Sequence, residues 1–241
     1  MFRKFFAALA ITLVFMSANE NFSFELNKVY AQTNIELAEQ KNNEGVQLFK
    51  NKNYQAAILK YTEAIQLNPN YAEAYNNRGN SYYELGYYSE SISDYNKAIQ
   101  LNPNFAIAYT NRGIVYCKQG NYEQAISDCT KAIQLDYNFE TVYNERGIAY
   151  YYLKNYKNAI NDFNKAIKLN PYYAEAYNNR GNSYYELGYY SESISDYTKA
   201  IQLNPDKSLY YNNRGDAYRA IGEIEKANLD YEKARALGYN G

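Results

Sequence analysis

The chain has 241 residues, 25 basic and 26 acidic side chains, a net charge of −1 and no histidine. Without a basic excess it has little to neutralise phosphates, so nucleic acid is excluded as an expected partner. Histidine is the commonest general base near neutral pH and the commonest metal ligand, so its absence excludes most hydrolase triads and zinc sites. We predict neither an enzyme nor a bound metal or cofactor.

The first predicted element is an export signal. Arg3 and Lys4 precede an apolar run over 5–16, which is shorter than the roughly 20 residues of a membrane-spanning helix. We interpret 1–31 as a signal peptide cleaved after Ala31, with a cut near Ala18 as the alternative. The protein is therefore expected in the periplasm, the medium or the cell envelope. An uncleaved N-terminus would be its only link to a membrane.

A repeat with a period of 34 follows a short lead-in over 32–37. The stretch 71–103 recurs at 173–205, three periods later, with one difference, Asn96 against Thr198. The period divides the chain into six units without linkers between them. The predicted units are 38–71, 72–105, 106–139, 140–173, 174–207 and 208–241.

Each unit contains two helical stripes. With the residues of a unit numbered as positions 1–34, small and aromatic residues lie at positions 4, 8 and 11 and at 20, 24 and 27. Spacings of four and three place residues on one face of a helix. In the second unit Gly86 can form a left-handed cap between the stripes, and Asn102 before Pro103 ends the second stripe. Each unit therefore predicts a helical hairpin, in which glycine at position 8 and a small residue at 20 allow close approach.

The pattern Tyr-x2-Arg-Gly-x2-Tyr…Ala/Ser-x3-Tyr…Pro resembles the tetratricopeptide repeat. The resemblance covers 38–241 and implies an all-α fold, a right-handed α-solenoid of six tandem hairpins. It also implies a concave groove that binds a partner. The chain departs from the family pattern in two places, with Tyr for Trp at position 4 and Arg for Leu at position 7.

Positions 7 and 23 exchange charge together. Five units have Arg at 7 and Asp at 23, whereas the first has Glu44 and Lys60. The two positions lie on matching flanks of antiparallel helices, so we predict an ion pair across each hairpin. An arginine row that binds anionic ligands is the alternative. The predicted pairs are Glu44–Lys60, Arg78–Asp94, Arg112–Asp128, Arg146–Asp162, Arg180–Asp196 and Arg214–Asp230.

The resemblance places positions 2, 5, 6, 9, 12 and 13 in the groove, where this chain has amides and rings. Asparagine can bond both groups of a peptide unit, and tyrosine offers apolar area at low entropic cost. We predict that the groove binds a protein or an extended peptide of unknown identity. A receptor for a glycan or small ligand, or a self-assembling scaffold, are the alternatives. The predicted groove residues are Asn76, Asn77, Asn80, Tyr83, Asn111, Asn144, Tyr151, Asn178, Asn179, Asn182, Tyr185, Asn212 and Asn213.

Units two and five share the same groove residues. One hypothesis is that they form two equal binding stations for a multivalent partner. Duplication of a three-unit block is the alternative. The two cysteines, Cys117 and Cys129, fall on different flanks of the third hairpin and are expected to be free thiols.

Overall fold

The computed structural model describes Ser23, Lys28, residues 32–135 and residues 139–240. These residues form twelve helices, and no strand occurs within the described ranges. The chain divides into two compact units, residues 1–102 and 103–241. The predicted signal peptide, 1–31, lies outside the described residues except for Ser23 and Lys28.

The helices are 13 or 14 residues long apart from the first, of which residues 32–50 are described. No helix in the described part of the chain is both long and apolar enough to cross a bilayer. The first unit contains α1 (32–50), α2 (Tyr54–Leu67), α3 (Ala72–Glu84) and α4 (Tyr88–Leu101). The second contains α5 (Ala106–Lys118), α6 (Tyr122–Gln134), α7 (Glu140–Tyr152), α8 (Tyr156–Leu169), α9 (Ala174–Glu186), α10 (Tyr190–Leu203), α11 (Ser208–Ala220) and α12 (Ile224–Ala236).

Consecutive helices pack in pairs as hairpins, and within each unit the hairpins stack in sequence order. In the first unit α2 packs on α3; in the second α6 packs on α7, α8 on α9 and α10 on α11. Helices of this length are marginal alone in water, so packing of their apolar faces supplies most of their stability. The predicted fold class, an all-α solenoid of helical hairpins, is confirmed.

The turn inside each hairpin depends on one left-handed residue. Gly86 has φ 79°, and the next residue, Tyr87, donates its N–H to the carbonyl of Tyr82 at 2.9 Å. This pattern satisfies the last carbonyls of the first helix. Lys52 and Lys154 occupy the same place in the first and fourth hairpins, both with φ 59°. Glycine marks this turn in the sequence, whereas the two lysines give no sequence signal of a positive φ.

The hairpin core is formed by the glycine at position 8 and the side chain at position 24. A Cβ added to Gly147 would lie 2.6 Å from Cε1 of Phe163, and one on Gly181 would lie 2.8 Å from Cε1 of Tyr197. The ring therefore lies directly on the glycine. Glycine at position 8 therefore makes room for the ring at position 24 of the second helix. Alanines at positions 20 and 27, such as Ala159 and Ala166, are fully buried beside the ring.

Candidate functional site

The charged residues at positions 7 and 23 meet across all six hairpins. Arg78 donates from Nε and Nη2 to the two oxygens of Asp94 at 2.7 and 2.8 Å. The other four Arg–Asp pairs have the same two-bond geometry, with distances of 2.6–2.8 Å. The arginine side chains are 18% exposed and the aspartates 7–9%. Guanidinium groups held in this way are poor sites for a further anion.

Each of these guanidinium groups also contacts side chains beyond its aspartate. Arg214 lies over the rings of Tyr211 and Tyr218, at 5.9 and 5.8 Å from their centroids. Its Nη1 donates to Oγ1 of Thr198 in the preceding hairpin at 3.1 Å. Arg78 and Arg146 make the equivalent bond to a threonine at 3.0 and 3.1 Å. The arginine thus links the two helices of its own hairpin to the hairpin before it.

The first repeat satisfies its reversed charges differently. Lys60 Nζ lies 3.4 Å from Glu44 Oε2, and two more charged residues, Lys41 and Glu63, complete a network with distances of 3.1–3.4 Å. Its lysine and glutamate side chains are 23–42% exposed, more than the Arg–Asp pairs. The reversed pair is therefore part of a four-charge surface network.

Asparagines join the first helices of neighbouring hairpins. The residue at position 6 donates its Nδ2 to the Oδ1 at position 5 of the preceding repeat. The bonds are Asn77 to Asn42 at 3.0 Å, Asn179 to Asn144 at 3.1 Å and Asn213 to Asn178 at 2.9 Å. In the fourth repeat position 6 is Glu145, whose Oε1 accepts from Asn144 at 3.2 Å. We call this set of bonds the asparagine ladder.

The ladder corrects part of the predicted groove. Asn76, Asn144 and Asn178 are only 3–4% exposed, so their side chains cannot be direct ligand contacts. Sequence position alone could not show that the neighbouring first helix covers Asn144 and Asn178. The amides at position 6 are half-buried, and the three that donate to the ladder make a second hydrogen bond. Asn77 and Asn179 each accept from the preceding residue at 3.4 Å, and Asn213 also donates to Asn182 at 3.2 Å. The half-buried residues of this position are Asn77, Asn111, Asn179 and Asn213.

The polar residues at position 9 accept hydrogen bonds from the tyrosine hydroxyls of position 24. Tyr95 donates its hydroxyl to Asn80 at 2.7 Å, and Tyr197 does so to Asn182 at 2.7 Å. In the last repeat Tyr231 donates to Asp216 at 2.9 Å. Asn80 and Asn182 are therefore acceptors for buried hydroxyls. Asn212 is half-buried and donates to Asp216 at 3.3 Å.

The predicted groove tyrosines are half-buried and pack on a ring at position 17 of their own hairpin. The ring-centroid distances are 5.8 Å for Tyr83–Tyr88, 5.5 Å for Tyr151–Tyr156 and 5.3 Å for Tyr185–Tyr190. Such edge-on or tilted pairs hold each ring while leaving part of it exposed.

A cavity of about 220 Å³ opens on the first-helix face of the last three repeats. It brings together four predicted groove residues and three others. Its lining residues are Tyr151 on α7, Asn182, Tyr185 and Glu186 on α9, Tyr197 on α10, and Asn213 and Asp216 on α11. We call it the tyrosine–amide pocket.

The tyrosines in and beside this pocket remain protonated at neutral pH. Burial, with a smaller effect of the Glu186 carboxylate, raises the pKa of Tyr151 to about 12. Burial and the hydrogen bond to Asp216 raise the pKa of Tyr231 to about 12. Burial also raises the pKa of Tyr185. The pocket therefore presents neutral phenols, amides and two carboxylates.

The predicted groove positions include Asp216, at position 9, and Glu186, at position 13, and both line the pocket. Sequence reasoning missed Tyr197, at position 24. A signal for it was present, because positions 9 and 24 vary together. Polar residues at position 9 accompany Tyr95, Tyr197 and Tyr231, whereas Ile114 accompanies Cys129 and Ile148 accompanies Phe163. Val46 with Tyr61 is the exception.

The described residues hold no group of three or more His, Cys, Asp or Glu side chains arranged to bind a metal ion. Both cysteines are free; Cys129 is buried, and the half-buried Cys117 directs its thiol at the carbonyl of Glu145 at 3.7 Å. Burial raises the pKa of Cys117 to about 12, so this thiol is not activated as a nucleophile.

Family models of this repeat match along most of the array. A model described as TPR repeat matches 45–86, 79–120 and 147–188. Two models described as tetratricopeptide repeat match 106–138, 174–207 and 196–229. The chain belongs to the tetratricopeptide repeat family, and the resemblance predicted from its sequence is confirmed. Repeats of this family generally mediate protein–protein interaction, and such proteins are generally non-catalytic scaffolds.

The fold is also similar to solved structures of repeat proteins. MamA shares 28% identity over 66% of this chain and 93% of its own, with a TM-score of 0.60. YrrB, described as a TPR protein with an unusual peptide-binding site, shares 25% over 74% and 92%, with a TM-score of 0.61. A tetratricopeptide repeat protein from Parabacteroides merdae ATCC 43184 shares 27% over 84% and 79%, with a TM-score of 0.66. The comparison with curated proteins found no match.

Proposed function

We propose that this protein is a non-catalytic scaffold that binds an extended peptide segment of a partner protein through the tyrosine–amide pocket. The observation that carries the proposal is the pocket itself, in which partly exposed rings of Tyr151 and Tyr185 stand beside the amides of Asn182 and Asn213. A cavity with ring walls and a few fixed polar groups is the usual form of a ligand site. Similarity to YrrB, whose description names a peptide-binding site, adds support.

An extended peptide suits these groups because its backbone offers a donor and an acceptor at every residue. Asn213 Nδ2 contacts both Asn178 and Asn182, at 2.9 and 3.2 Å, which fixes the amide before a ligand arrives. Fixed amides and rings lose little conformational entropy on binding. The same groups can bond sugar hydroxyls, so a glycan is the second candidate.

The test is binding of immobilised hexapeptides from a positional-scanning library, run beside a glycan array. The native chain without residues 1–31 is compared with Tyr185→Ala, which removes a pocket wall. We expect peptide binding to fall by about tenfold, because an interface ring contributes on the order of 1–2 kcal/mol. Tyr172→Ala is the matched control, since Tyr172 is 81% exposed and does not line the pocket.

Binding only to glycans would support the second candidate. Binding to neither array, or equal losses in both variants, would reject the proposed site.

The hypothesis of two equal binding stations, in units two and five, is not supported by the pocket residues. At the positions in sequence that correspond to Tyr151 and Asp216, the first half of the chain has Phe49 and Ile114, so the two copies are not equivalent.

The choice of variants follows from the structure. Lysine at Asn80 or Asn182 would remove the acceptor of a buried tyrosine hydroxyl, so a loss of binding could result from damage to the core. Tyr185 avoids this difficulty because its ring packs on the surface ring of Tyr190.

We also propose that the scaffold acts outside the cytoplasm. The proposal is supported by Arg3 and Lys4, the apolar run over 5–16 and the small residue Ala31. A partner would then be another exported or envelope protein.

A further inference from the structure

The charged residues that line the tyrosine–amide pocket are all acidic. Two of its seven lining residues, Glu186 and Asp216, are carboxylates, and none is basic. Glu186 is exposed at the rim and accepts a hydrogen bond from Tyr156 at 3.4 Å. Asp216 is half-buried and accepts from Tyr231 and Asn212. An anionic ligand group would be repelled from this cavity, because charges in a partly buried site are weakly screened.

One nearby cation balances part of this charge. Arg219 Nη2 lies 3.0 Å from Asp216 Oδ1, and its guanidinium carbon lies 5.7 Å from the ring centroid of Tyr231. The arginine side chain is 63% exposed, so it lies at the edge of the pocket, whose lining does not include it. Two carboxylates and one guanidinium leave an excess negative charge facing the cavity.

Elsewhere in the molecule, a tyrosine ring and a carboxylate together hold a cation. At position 7, Arg180 lies 5.5 Å from the ring centroid of Tyr177 and 2.6 Å from Asp196. Arg219, with Tyr231 and Asp216, repeats the arrangement at the pocket edge. Inside the pocket, the rings of Tyr151 and Tyr185 stand with Glu186 in the absence of a lining cation. Ring faces attract cations, most strongly where water is partly excluded.

We propose that the tyrosine–amide pocket selects a lysine or arginine side chain of the bound peptide, with Glu186 as the main specificity-determining residue. This inference rests on the proposed function, because it names which peptides the pocket prefers. The aliphatic stem of the side chain packs on the rings of Tyr151 and Tyr185, and its charged end lies near Glu186. The amides of Asn182 and Asn213 bond the adjoining peptide backbone.

The experiment uses the best hexapeptide from the positional-scanning library and a copy in which its lysine is replaced by norleucine. Norleucine has the same unbranched stem without the charge. Dissociation constants are measured by fluorescence anisotropy, and the ratio norleucine/lysine is the readout. We expect a ratio of about five for the native chain, since a partly exposed charge contact contributes about 1 kcal/mol.

Three variants test the assignment. Glu186→Gln keeps the size of the side chain and should lower the ratio to about one or two. Arg219→Gln removes the competing cation and should raise the ratio by about twofold or more. Glu192→Gln makes the same change of charge at an exposed residue of α10 that does not line the pocket, and should leave the ratio unchanged.

The outcomes separate this inference from the proposal beneath it. If hexapeptides bind but the native ratio is near one, the pocket binds peptides without selecting a cation, and only the inference fails. If Glu192→Gln lowers the ratio as much as Glu186→Gln, general surface charge is responsible and the inference also fails. If no peptide binds, both fail.

Discussion

The glycine at position 8 determines whether a large ring can fill the centre of a hairpin. Five of the six repeats place an aromatic ring on this glycine, with a distance of 2.6–2.8 Å between the nearest ring atom and an added Cβ. In the third repeat the neighbour is the smaller Cys129, whose sulfur would lie 3.1 Å from a Cβ on Gly113. The chain thus contains its own comparison between a crowded and a less crowded glycine.

We predict that Gly147→Ala lowers the free energy of unfolding by about 1–3 kcal/mol, because the methyl group would overlap the Phe163 ring. Gly113→Ala is the matched variant. Its free energy of unfolding should change by less than about 1 kcal/mol, because alanine favours the helix and the sulfur can shift. Urea unfolding followed by circular dichroism measures both. Equal losses in the two variants would contradict this account of the core.

The roles of individual side chains were the part of the site that the sequence predicted least well. The asparagines at positions 5 and 6 were predicted to face a ligand, yet Asn144 and Asn178 are buried by bonds to the following repeat. Helical spacing locates a residue on a flank, but it does not show how much of that flank the neighbouring helix covers. Tyr151 and Tyr185 were predicted as groove residues and do line the pocket, because long rings extend beyond the covered backbone.

The helical hairpin is the element that the sequence predicts best. A 34-residue period, a left-handed glycine and Asn-Pro at the end fix its helices locally, so the predicted positions of the turns agree with α3 and α4. The pairing of positions 7 and 23 was also visible, because opposite charges exchange together. The four-charge network of the first repeat was not predicted, although position 26 gave a signal for it. This position is lysine in the other five repeats and Glu63 in the first.

We predict a measurable coupling between Arg146 and Asp162. Arg146→Asp should lower the free energy of unfolding by about 2–4 kcal/mol, because it removes two charge-assisted bonds and places two carboxylates together. Adding Asp162→Arg should recover part of the loss. Recovery should be incomplete, because position 4 of this repeat is Tyr143 and cannot act as Lys41 does in the first repeat.

The measurement is a double-mutant cycle from chemical denaturation, with an expected coupling of at least about 1 kcal/mol. The control cycle uses Glu223 and Lys226, an exposed pair 3.2 Å apart on the last hairpin, for which about 0–0.5 kcal/mol is expected. A coupling between Arg146 and Asp162 no larger than that of the control would show that their contact adds nothing to stability.

At the scale of the whole molecule, we predict that the protein is exported from the cytoplasm. Mass spectrometry of the protein from the periplasm, envelope or medium should find a chain that lacks the first 18 to 31 residues. Arg3→Glu with Lys4→Glu removes the positive start and should reduce the exported fraction several-fold, whereas Lys50→Glu with Lys52→Glu makes the same charge change outside the signal. A full-length chain confined to the cytoplasm would contradict export.

The asparagine ladder has a consequence for how such a chain can be lengthened. The second repeat bonds back to Asn42 through Asn77, and the fifth bonds back to Asn144 through Asn179, at 3.0 and 3.1 Å. A repeat with asparagine at both positions carries a donor for the hairpin before it and an acceptor for the hairpin after it. Because its two ends are complementary to each other, a copied block can be inserted wherever asparagine is already present at the junction. The near-identity of the second and fifth repeats is what such interchangeable parts permit.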